Sequence, residues 1–270
     1  MRVGRQILYA STIGSIGLAV RSVLDRPVPM PVVAAASGIL GAVVLAGVLE
    51  PRLGMYIDVV GRGNPKPEAP RVAFTFDDGP SAESTPRVLD VLDASDAKGT
   101  FFVVGRKLDA SRTPIVRDVL ARGHALGCHS FAHDRFFALR GERRVRADLA
   151  RAIATLEDAT GASTKLFRPP IGHTNPIIAR VAEELGLVVV GFSVRALDGT
   201  RSARADAIVR RVARGLSDGA IVLMHDAAER DDFPPTAPQT LPKILEASRA
   251  RGLAAVTVPT LLGHAPVLDA

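Results

Sequence analysis

From Arg71 onwards the sequence alternates short apolar runs with longer amphipathic stretches, and this alternation limits the possible folds more than any other feature. The apolar runs predict seven strands, at residues 71–76, 99–104, 125–128, 165–167, 187–192, 219–224 and 254–258. The amphipathic stretches predict six helices, at residues 86–95, 112–122, 142–160, 175–186, 203–217 and 238–251. Strands that alternate with helices form parallel βα units. The sequence therefore predicts an α/β fold, either a barrel or a doubly wound sheet.

The first 50 residues predict a membrane-anchoring region of one or two hydrophobic helices. Residues 32–49 contain no charged side chain, and at ~1.5 Å per residue they nearly span a hydrocarbon core of ~30 Å. A buried core helix is the alternative for this stretch. Residues 7–20 are shorter and more polar, so they predict a weak first span, an interfacial segment or a signal-like region.

The side of the membrane on which the rest of the chain lies depends on the number of spans. Two spans return the chain to the side of its N-terminus, and the basic residues after position 50 favour this arrangement. One span places the rest of the chain on the opposite side. The next stretch, residues 51–70, is rich in glycine and proline and predicts a linker to a domain at residues 71–263.

The overall composition argues against two classes of protein. The chain has 34 Lys and Arg against 28 Asp and Glu, but no tryptophan and only two tyrosines on which bases could stack, so we expect no nucleic-acid partner. The single cysteine, Cys128, excludes an intrachain disulfide framework and a multi-cysteine zinc site.

Titratable side chains follow five of the predicted strands. The carboxyl ends of parallel strands meet at one rim of a barrel or sheet, where catalytic residues gather. The residues at these positions are Asp77, Asp78, His129, His133, Arg168, Asp198 and His225. The sequence therefore predicts one functional site at this rim.

The pair His129 and His133 indicates a metal site. A spacing of four residues on one helical turn places both imidazoles on the same side, and two histidines with one carboxylate form a typical catalytic metal set. The same set could hold non-haem iron for oxygen chemistry. A second aspartate and His225 favour hydrolysis instead, because they supply a base for water and an acid for a leaving group.

These residues together resemble the polysaccharide deacetylases, the carbohydrate esterase family that shares the nodulation-type deacetylase domain. The resemblance extends from about Arg71 to Gly263. The motifs that carry it are Thr75-Phe76-Asp77-Asp78-Gly79-Pro80, His129-Ser130-x-x-His133, Arg168-Pro169-Pro170-x-Gly172 and Leu223-x-His225. The resemblance implies that residues 71–263 form a catalytic domain with a distorted (β/α)7 barrel fold. This domain would remove an N-acyl group, most often N-acetyl, from an amino sugar.

The resemblance also implies a role for individual residues. Asp78, His129 and His133 would ligate a divalent metal, with Zn²⁺ expected and Co²⁺ or another divalent ion as the alternative. Asp77 would be the general base and His225 the general acid.

Supporting roles are implied in the same way. Arg168 would orient the base, and Asp198 would support His225. Leu223 would line the acetyl pocket, with Pro170 and Ile171 as further substrate-binding residues. The chain departs from the family pattern at two positions: Ile171 stands where tyrosine is frequent, and Gly199 stands where tryptophan is common.

The expected substrate is an N-acylated amino sugar of a polysaccharide, cell-wall glycan or oligosaccharide, and the expected location is a bacterial-type cell membrane. Two alternatives remain open. One is a deacylase or deformylase of a lipid-linked sugar, which the membrane segment favours. The other is a non-catalytic, membrane-tethered glycan-binding module.

Overall fold

The computed structural model describes residues 3–25 and 27–263, and this part of the chain forms an α/β barrel preceded by two apolar helices. The strands are β1 (Val59–Val60), β2 (Arg71–Asp77), β3 (Gly99–Val103), β4 (Ala125–Cys128), β5 (Leu166–Phe167), β6 (Val188–Val190), β7 (Val194–Arg195), β8 (Ala220–His225) and β9 (Ala254–Ala255). The helices are α1 (Val3–Leu24), α2 (Met30–Leu49), α3 (Ser84–Ala94), α4 (Thr113–Ala121), α5 (Glu142–Thr160), α6 (Pro176–Glu184), α7 (Ala205–Gly215), α8 (Ala237–Arg249) and α9 (Val258–Leu262).

The strands pair in parallel in the order β1-β6-β5-β4-β3-β2-β8-β7, with β9 added beside β2. Only residues 191–193 separate β6, near one end of this order, from β7 at the other. Within this crossing Gly191 N–H donates to Val60 O and Ser193 N–H donates to Ile221 O, each at 2.9 Å. The sheet therefore curls until its two ends meet, and the predicted distorted barrel is confirmed.

Strand β2 shows how residue alternation divides the core. Its even-numbered residues, such as Phe74 and Phe76, pack in the main core cluster with residues of the surrounding helices. Its odd-numbered residue Ala73 belongs to a second cluster, which Val258 and Leu261 of α9 join. Successive side chains of a strand point to opposite faces, so Thr75 and Asp77, which follow Ala73 on the same face, reach the end of the strand at the rim.

Strand β7 lies outside every predicted strand, and two further features of the fold differ from the sequence expectation. The stretch 51–70 is not a free linker: β1 lies within it and pairs with β6, and Ile57 is buried in the main core. A two-residue strand has no periodic pattern, whereas the glycines and prolines around it do signal a loop. The strand expected at 254–258 ends at Ala255, because Thr257 Oγ1 accepts a hydrogen bond from Thr260 N and caps α9.

The helices α1 and α2 form a hairpin whose outer ends both contact the barrel. They are 22 and 20 residues long, or ~33 and ~30 Å, and both are long and apolar enough to cross a membrane or, near the N-terminus, to serve as a signal sequence. At the start of α1, Arg5 pairs with Asp58 at 3.5 Å. Near the end of α2, Tyr56 Oη donates to Val44 O at 2.8 Å.

Candidate active site

The two adjacent aspartates lie where β2 reaches the rim. Asp77 is the last residue of the strand and is paired in register with His225 at the end of β8. Asp78 has a φ of +71°, in the left-handed region, so the chain bends directly after the strand and the two carboxylates take different directions. Both side chains are buried. The sequence placed these residues at the rim, and the structure confirms that position.

His129 and His133 are brought together by a loop and not by a helical turn. Strand β4 ends at Cys128, and Ser130 and His133 both have positive φ values, 64° and 48°. Ser130 Oγ accepts a hydrogen bond from His133 N at 2.9 Å. The helical geometry expected from the four-residue spacing is therefore wrong, but its consequence holds, because the ring centroids of the two histidines are 4.9 Å apart.

The loop that carries the histidines is braced by Asp148 of α5, a residue that the sequence analysis did not single out. The two oxygens of Asp148 accept hydrogen bonds from Phe131 N at 2.8 Å and Ala132 N at 3.0 Å. Arg151, one turn further along α5, places its guanidinium carbon 3.7 Å from the centroid of the Phe131 ring. No local pattern marks this function of α5, because it depends on how the helix packs beside the loop.

Asp78, His129 and His133 form a buried set that fits a divalent cation. One ligand atom of each lies within 4.8 Å of those of the other two. Asp78 Oδ1 is 3.1 Å from His133 Nε2 and 3.5 Å from His129 Nε2. His129 Nδ1 is 2.7 Å from the carbonyl oxygen of Arg168. A carbonyl only accepts, so Nδ1 carries a proton, and Nε2 is the nitrogen on the side of Asp78.

The electrostatics of this set also fit a cation. Asp78 Oδ1 is buried without a hydrogen-bond partner among the described residues. Burial alone would raise the pKa of Asp78, but its interactions with His129 and His133 outweigh burial and hold that pKa well below the usual range. Two imidazole nitrogens and one carboxylate oxygen are the ligands that zinc and similar ions take in open catalytic sites.

Asp77 is held by the fully buried guanidinium of Arg168. Arg168 Nη1 donates to Asp77 Oδ1 at 2.7 Å and to Thr75 Oγ1 at 2.8 Å. The other nitrogens of Arg168 donate to Val190 O at 3.1 Å and to Gly191 O at 2.8 Å, so this side chain crosses the barrel from β2 to β6. Asp77 Oδ2 remains on the side of the histidines, 3.8 Å from His129 Nε2.

His225 is oriented by Asp198. The Nδ1 atom of His225 lies 2.8 Å from Asp198 Oδ1, and its backbone N–H donates to Asp198 Oδ2 at 2.9 Å. Burial alone would lower the pKa of His225, but the carboxylate of Asp198 outweighs burial and raises that pKa to about 9. A methyl group at Gly199 would lie 3.0 Å from the His225 ring, so the glycine at this position leaves room for the imidazole.

The rim residues line a cavity of about 270 Å³. Leu223 and Ile171 contribute to its wall, Ile171 with a φ of +61° and 46% of its surface exposed. Pro170 is buried and Asp198 lies behind His225, and neither belongs to the cavity lining. The structure thus brings eight of the ten predicted site residues to the wall of this cavity: Asp77, Asp78, His129, His133, Arg168, Ile171, Leu223 and His225.

The cavity wall also contains Glu229 and Arg135, which the sequence analysis missed. Arg135 Nε lies 2.9 Å from each oxygen of Glu229, and Glu229 Oε1 is 3.7 Å from His133 Nδ1. The pair therefore connects the loop after β4 with the loop after β8. The one signal in the sequence was that Glu229 follows His225 by four residues, on the same rim.

The fold is an α/β barrel. At the carboxyl ends of its strands lies a site of two histidines and one carboxylate that could hold a metal ion. Residues 64–190 match the family model described as polysaccharide deacetylase. The chain belongs to the polysaccharide deacetylase family, as its sequence relatives also show.

Two relatives are peptidoglycan-N-acetylglucosamine deacetylases. One, PgdA of Listeria monocytogenes, is 34% identical over 194 residues, which is 72% of this chain and 39% of that protein. The other, from Bacillus cereus, is 34% identical over 200 residues, 72% of this chain and 88% of that protein. The chain therefore spans about two fifths of the Listeria protein and most of the Bacillus protein.

A solved structure in this family contains a metal ion. It is a family 4 acetyl xylan esterase from Clostridium thermocellum in complex with a cobalt ion, with a TM-score of 0.64 and 33% sequence identity. The match covers 71% of this chain and 90% of that one. The family uses a divalent metal, and the predicted resemblance to the polysaccharide deacetylases is confirmed.

Proposed function

We propose that this protein is a metal-dependent hydrolase that removes an N-acetyl group from an amino sugar of a glycan. The observation that supports this activity most directly is the convergence of three buried ligand atoms, from Asp78, His129 and His133, between a held carboxylate and an oriented imidazole. The two bacterial relatives are peptidoglycan-N-acetylglucosamine deacetylases, and this supports the substrate class.

Asp78, His129 and His133 would hold the divalent ion, and the nitrogen-rich donor set favours Zn²⁺, with Co²⁺ as the alternative. When bound, such an ion polarises a carbonyl oxygen and lowers the pKa of a nearby water. The three residues are themselves fixed from outside, since the Arg168 carbonyl orients His129 and Ser130 holds the backbone of His133.

Asp77 would serve as the general base. Arg168 occupies its Oδ1 atom at 2.7 Å, while Oδ2 faces the histidines and is the oxygen that would take the proton from the attacking water. Arg168 thus orients the base. Because the arginine is buried and fixed by four hydrogen bonds, the carboxylate has one orientation available.

His225 would serve as the general acid. Its raised pKa, about 9, keeps it protonated at neutral pH, and Asp198 holds its Nδ1–H so that Nε2–H is free to donate to the departing amide nitrogen. Water and the amide are then converted to acetate and a free amine. Leu223 would contact the acetyl methyl group, and Ile171, with Pro170 beneath it, would form the wall against the sugar.

The two apolar helices support a membrane location. The chain would then have three parts: an anchoring region at residues 1–50, a connection attached to the barrel at 51–70, and the catalytic domain at 71–263. Residues 1, 2 and 26 lie outside the described part of the anchoring region. The hairpin of α1 and α2 has both outer ends against the barrel. Two membrane spans would therefore place the catalytic domain on the side of the N-terminus. A lipid-linked amino sugar is a second candidate substrate, because the end of α2 borders the barrel mouth.

The test is acetate or formate release by the full chain in detergent from N-acetylated chitooligosaccharides, peptidoglycan fragments and lipid-linked amino sugars, each with and without a chelator. We expect chelator-sensitive acetate release from at least one of them. His225→Ala should lose turnover while substrate binding survives. Glycan binding without release of acid from any substrate would support the non-catalytic module and contradict the proposed activity.

A further inference from the structure

A second cavity of about 260 Å³ adjoins the candidate active site on the side of α2. It shares part of its wall with the active-site cavity, so the two cavities lie side by side, and we call this second cavity the groove. The shared residues are Arg168, Ile171, Gly172, Phe192 and Arg195. At its far end the groove is lined by Leu49, the last residue of α2, and by the three residues that follow it. A substrate with its acyl group at the metal-type centre would extend along this groove towards the end of α2.

Two guanidinium groups flank the ring of Phe192 in this groove. The guanidinium carbons of Arg52 and Arg195 lie 5.0 and 5.8 Å from the ring centroid. The Arg195 side chain makes no ion pair or hydrogen bond with another described residue, and Arg52 has one acidic neighbour, Glu50, at 3.8 Å. Apart from Glu50, the charged residues that line this groove are Arg52, Arg168 and Arg195, so it has an excess of positive charge. Guanidinium groups match the oxygens of phosphate better than any other side chain.

The far end of the groove also lies on the side of the barrel that fits a bilayer surface. Thr174 N–H donates to the backbone of α2 at 3.3 Å, and the neighbouring Asn175 donates to the loop 136–139 at 2.6 Å. In that loop Phe136 and Leu139 are 62% and 78% exposed. Exposed apolar side chains beside a membrane-length helix are typical of contact with the lipid interface.

We propose that this groove binds the phosphate or diphosphate group of an amino sugar carried on a membrane lipid, with Arg52 and Arg195 as its cationic partners. The inference rests on the proposed deacetylase function and narrows its substrate. The N-acyl group would lie at the metal-type centre, the phosphate beside the two arginines, and the lipid chain would leave along α2. An uncharged glycan has no anionic group to pair with these two cations.

The experiment measures acetate release by the full chain in phosphatidylcholine vesicles from three substrates. These are N-acetylglucosamine linked through diphosphate to a polyprenol, soluble N-acetylglucosamine 1-phosphate, and an N-acetylated chitooligosaccharide. The variants are Arg52→Gln, Arg195→Gln and their combination, with Arg87→Gln on the exposed surface of α3 as the matched control. Far-UV circular dichroism verifies that each variant is folded.

We expect the double variant to lose kcat/KM on the lipid-linked sugar by roughly tenfold or more beyond its loss on the chitooligosaccharide, because hydrogen bonds to a charged group disappear. The Arg87→Gln control should not change this ratio. Glu50→Gln removes the opposing charge and should lower KM for the lipid-linked sugar alone. This opposite effect provides a second measurement that loss of folding cannot produce.

Equal losses on the lipid-linked sugar and the chitooligosaccharide, or no loss on the former, would overturn the proposal. Equal use of the soluble sugar phosphate and the lipid-linked sugar would overturn the lipid assignment. Activity of the unmodified chain on the chitooligosaccharide alone would also contradict this inference while leaving the deacetylase function intact. Absence of acetate release from every substrate would instead contradict the deacetylase function.

Discussion

Replacing Arg168 by methionine tests whether this buried guanidinium holds both the barrel and the proposed base. The side chain is 2% exposed and donates four hydrogen bonds, to Asp77, Thr75, Val190 and Gly191. Methionine keeps an apolar stem beside Phe102 but leaves the Asp77 carboxylate buried without a cation. Breaking one side of a buried ion pair costs about 3–5 kcal/mol. We expect Arg168→Met to lower the free energy of unfolding by about that amount.

Lysine at the same position separates charge from geometry. Arg168→Lys keeps the positive charge, but one ammonium group cannot reach acceptors on both β2 and β6 as the planar fork does. We expect a smaller loss, about 1–3 kcal/mol. Turnover should nevertheless fall by roughly 10–100-fold, as for other residues that orient a catalytic group, because Asp77 Oδ1 is no longer held in one direction.

The assay is urea unfolding of the full chain in detergent, followed by far-UV circular dichroism, together with acetate release. A double-mutant cycle with Asp77→Asn isolates the ion pair from the rest of the substitution. The two losses should be strongly non-additive, since the second substitution removes the charge that the first left unpaired. An Arg168→Met variant within about 1 kcal/mol of the unmodified chain would refute the reasoning, because no buried ion pair would then have been broken.

Three further predictions address the site and its surroundings. Asp77→Asn should abolish turnover with the metal still bound, whereas Asp78→Asn should lose the metal; metal analysis and acetate release on the same samples distinguish the two. Glu229→Ala should weaken zinc affinity by roughly 10–100-fold by calorimetry, since the carboxylate beside His133 Nδ1 is lost, and unchanged affinity would exclude an orienting role. Burial raises the pKa of Asp226 to about 7, so the folded state retains a proton that the unfolded state has released. The free energy of unfolding should therefore fall as the pH rises from about 4 to 7, by up to about 1.4 kcal/mol per pH unit. Asp226→Asn should remove that part of the slope in urea unfolding at several pH values, and an unchanged slope would contradict the raised pKa.

The family and the position of the site follow from the sequence because both depend on local patterns. Helix α5 occupies the predicted residues 142–160, and strand β4 the predicted residues 125–128. Each element has one buried face, and burial of one face leaves a regular spacing of apolar residues. The strand-end rule then places the aspartates, histidines and arginine at one rim. Their individual roles remain predictions.

Only the tertiary structure decided the contacts between segments that are distant in the chain. The sequence alone left barrel and doubly wound sheet open, assigned β1 to a linker and assumed a helical turn between His129 and His133. The positive φ values of that loop, the contact between Arg135 and Glu229 and the groove from the rim to α2 cannot be read from the sequence pattern of any one segment. The contact and the groove arise because closing the barrel brings separate loops together, and that closure depends on packing between elements and not on the pattern within any one of them.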